Sequence, residues 1–94
     1  MPLLSSQEIA ERLASLDGWS AGEGSSITRE LKFADFREAV AFVNRVADAA
    51  EEQNHHPDIL IHGWNRVRLT LSTHSEGGVT DADLQLAGRL DRLA

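Results

Sequence analysis

Three of the four histidines in this chain, His55, His56 and His74, are the side chains best able to move protons near neutral pH, where imidazole titrates. Glu51 stands one helical turn before His55 if the intervening segment is helical, so its carboxylate can accept a hydrogen bond from the ring. A neighbouring carboxylate and a helix C-terminus both favour a charged imidazole, which is then a general acid. A positioned acid or base of this kind contributes about 10²- to 10⁴-fold in rate. The same side chains invite comparison with a zinc site, but His55 and His56 are adjacent and diverge on most backbones, and no His-x-x-x-His pair occurs. These residues point to proton transfer rather than to a metal site.

The elements that must carry these residues can be read from local patterns. Ser5 and Glu8 have the spacing of a capping box and precede Ile9, Leu13 and Leu16, which predicts a short first helix. Asp17-Gly18 ends it, and Trp19-Ser20, a turn at Gly22 to Gly24, and the imperfect alternation from Ser26 to Phe33 predict a hairpin. From Asp35, the residues Phe36, Ala39, Val40, Val43, Val46, Ala47 and Ala50 fall at three- and four-residue steps, predicting a long helix with these residues on one face. Pro57 disfavours the helical region at His56, so the helix should end near Asn54 or His55, with both histidines at its exit.

Asp58 to His62 and Val67 to Leu71 then predict a second hairpin about Gly63, with His74 just past its second strand. Thr80 and Asp83 form a capping-box-like start to a last helix bearing Leu84, Leu86, Ala87, Leu90 and Leu93. The order α-β-β-α-β-β-α predicts an α+β domain over 1–94, a mostly antiparallel four-stranded sheet with three helices on one face.

Taken together, Glu51, His55-His56-Pro57, Trp64, His74 and Asp83 form a spaced pattern that resembles the pterin-4a-carbinolamine dehydratases, also called the dimerisation-cofactor family. Leu71-Ser72-Thr73-His74 is similar to that family's strand end, and the element order matches its fold across the chain. The resemblance implies dehydration of a 4a-hydroxytetrahydropterin, left by an aromatic amino-acid hydroxylase, to the quinonoid dihydropterin. It implies that His55 and His74 transfer protons, that His56 orients the ring, and that Glu51 orients His55. Asp83 would pair with a histidine or a nearby polar group. Asn54 and Pro57 would lie at the substrate, and Ser72 and Thr73 would meet the amide-like edge of the pterin.

Two positions depart from the family pattern. Asn54 stands where an aspartate is frequent, and Ile59 where an aromatic would offer a flat wall. The resemblance also implies a homodimer or homotetramer, and it carries an alternative in which the fold serves only as a dimerisation or assembly module.

Some of these residues have plainer roles open to them. Glu51 is one of several acids on a solvated helix, Asp83 could simply complete a capping box, and Pro57 could simply stop a helix. Trp64 could anchor the sheet or an interface, Trp19, Phe36 and Phe42 are assigned to core or subunit packing, and His62 is read as a surface or satisfied histidine rather than a catalyst.

Composition narrows the partners. At 94 residues and 41% hydrophobic content the chain supports one small core, and with no cysteine it has no disulfide to reinforce it, which favours oligomerisation. A formal charge of -6, with nine basic residues among fifteen acidic ones, would repel nucleic-acid phosphates. No run approaches the length of a membrane span, and Met1-Pro2-Leu3-Leu4 lacks the basic start of a signal peptide, so the expected address is the cytoplasm.

Overall fold

A computed structural model describes residues 2–94. The elements follow the predicted order: α1 (Ser6–Leu13), β1 (Trp19–Ala21), β2 (Ile27–Lys32), α2 (Phe36–Gln53), β3 (Asp58–His62), β4 (Arg66–Leu71), a 3-10 turn (His74–Glu76) and α3 (Asp81–Asp91). Both predicted capping boxes are present, Ser5 with Glu8 and Thr80 with Asp83, and Asp35 caps α2 by accepting from the Glu38 N–H.

The strands form one sheet in the order β1-β2-β4-β3, with every pairing antiparallel. Each hairpin is local, while the long-range join is β2 with β4, running from Ile27↔Leu71 to Lys32↔Arg66. Alternation sends Ile27, Leu31, Val67, Leu69 and Leu71 to the covered face, where the helices contribute Phe42, Val46, Leu84, Leu86 and Leu90. Phe33 packs on Phe42 with ring centroids 5.0 Å apart.

The opposite face is polar. Glu30 accepts from Arg68 Nε at 2.9 Å and pairs with His62, which is therefore a satisfied surface histidine. Desolvation pushes the Glu30 carboxyl up, but Arg68 and His62 together outweigh it and hold the group below the ordinary carboxylate range.

Two expectations about apolar residues are corrected. The core stripe of α2 is Ala39, Phe42, Val46, Ala49 and Ala50, whereas Phe36 and Ala47 are exposed and Val40 and Val43 only half-buried. Apolar residues line two sides of this helix, and the large Phe42 ring decides which side enters the core. Trp64 is no anchor of the sheet: it is 61% exposed and lies in the left-handed region (φ 61°) in the β3–β4 turn. Its neighbour Asn65 does the pinning, donating through Nδ2 to the Phe33 carbonyl at 2.9 Å while its own carbonyl accepts from the Phe33 N–H at 2.8 Å.

Candidate active site

The exit of α2 sets the geometry of the histidine pair. Asn54 adopts the left-handed conformation (φ 51°), its N–H reaches the Glu51 carbonyl at 3.2 Å, and the His55 N–H reaches back to the Ala50 carbonyl at 3.1 Å. This is a Schellman motif, which satisfies the last carbonyls and turns the chain sharply. Asparagine tolerates the left-handed region better than most residues. Pro57 then leads into β3, so the two histidines occupy a short extended bridge between helix and sheet.

That turn corrects the expected pairing of Glu51 with His55. His55 has left the helix, so helical spacing no longer applies to it. Glu51 Oε2 instead bonds His56 Nε2, an exposed pair at the protein surface. His55 turns inward, its side chain 16% exposed, and its Nε2 lies 2.5 Å from Asp83 Oδ1.

Asp83 is the buried centre of the arrangement, with a fully inaccessible side chain. Its Oδ2 accepts from Thr73 Oγ1 at 2.9 Å and from the Thr80 N–H at 2.9 Å. The second of these is the capping-box bond, so the capping role and the histidine pairing coexist in one carboxylate. An unpaired buried carboxylate would be very costly; here hydrogen bonds to both oxygens offset the desolvation. With Nε2 turned to a carboxylate, the ring nitrogen of His55 left for other chemistry is Nδ1.

His74 opens the 3-10 turn that follows β4, is exposed, and directly follows Thr73 in the chain. It therefore lies one residue from the Asp83 network. Ser72 spends its hydroxyl on the Ser25 carbonyl at 2.8 Å, and Thr73 spends its own on Asp83. A pterin edge meeting these hydroxyls would have to exchange existing bonds. Asn54 is exposed, Pro57 is half-buried, and Ile59 is partly exposed on β3. Thr80, read in the sequence only as a cap, also approaches Thr73 Oγ1 through its own hydroxyl at 2.7 Å. Only its three-residue spacing from Asp83 hinted at this role.

Among the described residues no three His, Asp or Glu side chains come together as a metal-ligand set. A broad concavity of about 810 Å³, lined by none of His55, His56 and His74, lies on the polar face of the sheet between Ser20, Thr28, Arg68 and Thr70. Its breadth counts for less than the chemistry: ring nitrogens next to a buried carboxylate are suited to proton transfer, whereas this floor offers mainly hydroxyls and a satisfied Arg68–Glu30 pair.

The family model described as pterin 4 alpha carbinolamine dehydratase matches residues 2–93. The chain belongs to that family. A relative from Thermomicrobium roseum, assigned by name to the pterin-4-alpha-carbinolamine dehydratases, is 49% identical over 94 residues, covering 100% of this chain and 99% of its own length. One from Chloroflexus aurantiacus, named in the same way, is 50% identical over 93 residues, covering 99% and 98%. Among solved structures, a transcriptional coactivator/pterin dehydratase from Brucella melitensis superposes with a TM-score of 0.93 at 40% identity, covering 99% of both chains. A pterin dehydratase-like protein described as a RuBisCO assembly factor of the alpha-carboxysome superposes less closely, with a TM-score of 0.68, 26% identity and coverage of 82% and 89%. As a pterin 4 alpha carbinolamine dehydratase family member, the chain thus shares its fold with a solved structure described as a transcriptional coactivator/pterin dehydratase and with one described as an assembly factor.

Proposed function

We propose that residues 1–94 act as one dehydratase domain, removing water from a 4a-hydroxytetrahydropterin to give the quinonoid dihydropterin. The observation that carries this reading is the buried Asp83 carboxylate holding His55 Nε2, which leaves Nδ1 for proton exchange. The reaction needs one proton delivered to the departing 4a-hydroxyl and one removed from N5 as the carbon-nitrogen double bond forms. His55 and His74 carry these transfers, and His56, oriented by Glu51, contacts the ring. No electrons change hands, and neither metal nor organic cofactor is needed. Asn54, Pro57 and Ser72 line the substrate side, with Thr73 beside them and its hydroxyl turned to Asp83.

The enzyme works in the cytoplasm as a homodimer or homotetramer, consuming the product of an aromatic amino-acid hydroxylase and so supporting tetrahydrobiopterin recycling. It makes no direct contact with nucleic acid, consistent with its formal charge of -6. Among the described residues no helix is long and apolar enough to cross a membrane.

The test is ultraviolet detection of the decay of freshly made 4a-carbinolamine. Wild-type protein should accelerate decay, and His55→Ala should slow the enzymatic rate by about 10²-fold or more. Wild type no faster than buffer would sink the proposal. Likeness to the RuBisCO assembly factor supports a second reading, a non-catalytic assembly module. It would be favoured by a stoichiometric protein partner retained equally by wild type and His55→Ala.

A further inference from the structure

Each hydroxyl carries a single hydrogen, and following those hydrogens through the buried network gives a definite direction. Thr73 Oγ1 donates its hydrogen to Asp83 Oδ2 at 2.9 Å. The 2.7 Å contact between Thr73 and Thr80 hydroxyls must then use the hydrogen of Thr80. The Thr80 main-chain N–H also donates to Asp83 Oδ2, at 2.9 Å. Two donors thus converge on Oδ2 and fix the carboxylate plane, and Oδ1 is turned to His55 Nε2 at 2.5 Å. An ionised carboxylate has no hydrogen to give, so a ring hydrogen faces it on Nε2, and in the neutral ring the lone pair is then on Nδ1.

Thr73 is also tied to the other histidine, through its main chain. Its N–H donates to the Gly78 carbonyl at 2.8 Å, and its carbonyl accepts from the N–H groups of Glu76 and Gly77, both at 3.0 Å. These bonds close the turn that begins at His74. One residue therefore reaches both histidines, the side chain toward Asp83 and His55, the main chain toward His74.

We infer that Thr73 and Thr80 are positioning residues, which set the tautomer of His55 through Asp83, with Thr73 also anchoring the turn that carries His74. The inference rests on the dehydratase reading for its catalytic consequence, though not for its structural one. It gives the Thr73 hydroxyl a different role from contact with a pterin edge, and it gives Thr80 a role beyond that of a helix cap.

The discriminating variant is Thr73→Val, nearly the same shape without the hydroxyl, beside Thr73→Ser, which keeps it. Nitrogen-15 shifts of the His55 ring report the tautomer, and steady-state kinetics with the carbinolamine separate kcat from KM. Thr73→Val should mix the His55 tautomers and lower kcat about 10-fold or more with KM within about 3-fold, because misorientation penalises the chemical step. Thr73→Ser should restore both readouts. Thr80→Val should disturb the His55 shifts in the same direction as Thr73→Val.

A wild-type His55 spectrum in Thr73→Val, or a raised KM with kcat intact, would overturn the inference, the latter pointing to a substrate contact. If the valine variant does not fold, Thr73→Ala removes the same hydroxyl and the same outcomes decide. Wild-type protein without dehydratase activity would sink the functional reading alone, while the ring shifts of the variants would still decide the role of Thr73.

Discussion

At the residue scale, two carboxylates that look alike in the sequence have very different surroundings. Glu51 and His56 are both exposed, with side chains 75% and 57% accessible, and such a pair is worth about 1 kcal/mol at most. Asp83 is fully buried and accepts from His55, Thr73 and Thr80. Asp83→Asn sets an amide among donors, where an unmatched buried group costs about 1–3 kcal/mol. The carbinolamine assay should therefore show Asp83→Asn slowed by about 10²-fold or more, with thermal unfolding also lowered. Glu51→Gln should lose no more than about 5-fold, the equivalent of that 1 kcal/mol. Comparable losses in the two variants would contradict this division. The sequence singled out the residues of the candidate site but paired Glu51 with the wrong histidine, because four-residue spacing holds only inside a helix and Asn54 ends it one residue too soon.

At the element scale, short-range signals were the readable ones. Ser5 with Glu8, Asp35, Pro57 and Thr80 with Asp83 mark helix ends through bonds spanning a few residues, and those ends lie where the patterns predict. The left-handed turn at Asn54 is the exception with functional weight, since it releases His55 from α2. Asn54→Ala places a Cβ-bearing residue without a compensating side chain at φ 51° and should cost about 1 kcal/mol in chemical denaturation. Asn54→Gly should be neutral or stabilising. The first helix offers a pH test. The hydrogen bond from Arg12, at 2.8 Å, holds the Asp81 carboxyl below the ordinary range against some desolvation, aided by Gln85. In α1 itself, bonds from the Ser5 main chain and side chain lower Glu8 in the same way. A depressed carboxylate stabilises the fold above its unfolded value, and that contribution disappears as pH falls through the lower folded value. Unfolding followed from neutral pH to about pH 3 should lose stability on the acid limb, and Asp81→Asn should flatten that limb by less than about 1 kcal/mol, the pair being exposed. An acid limb identical in Asp81→Asn would remove this pair from the account.

At the scale of the whole molecule, the element order was legible because each element announces itself locally, whereas the β2–β4 join was not, since nothing in either hairpin encodes its partner's register. The two apolar sides of α2 posed the same problem: periodicity finds both, and only packing selects Phe42 for the core. What remains outside the core bears on assembly. Phe36 is 53% exposed on the second side of α2, and Leu60 is 48% exposed at the middle of the edge strand β3. Edge strands template pairing, and an antiparallel pair of β3 strands related by a two-fold at Leu60 would bring the two Leu60 side chains opposite one another. A second, independent self-contact through the α2 surface around Phe36 would, together with the strand pairing, build a tetramer from dimers. Sedimentation should accordingly show Phe36→Asp reduced to a dimer, since the charge falls in the helix contact alone. Leu60→Lys should weaken the strand contact by facing two like charges, and the double variant should sediment as a monomer. A monomeric wild type would sink both contacts at once, and a tetramer unaffected by either variant would show that assembly uses neither surface.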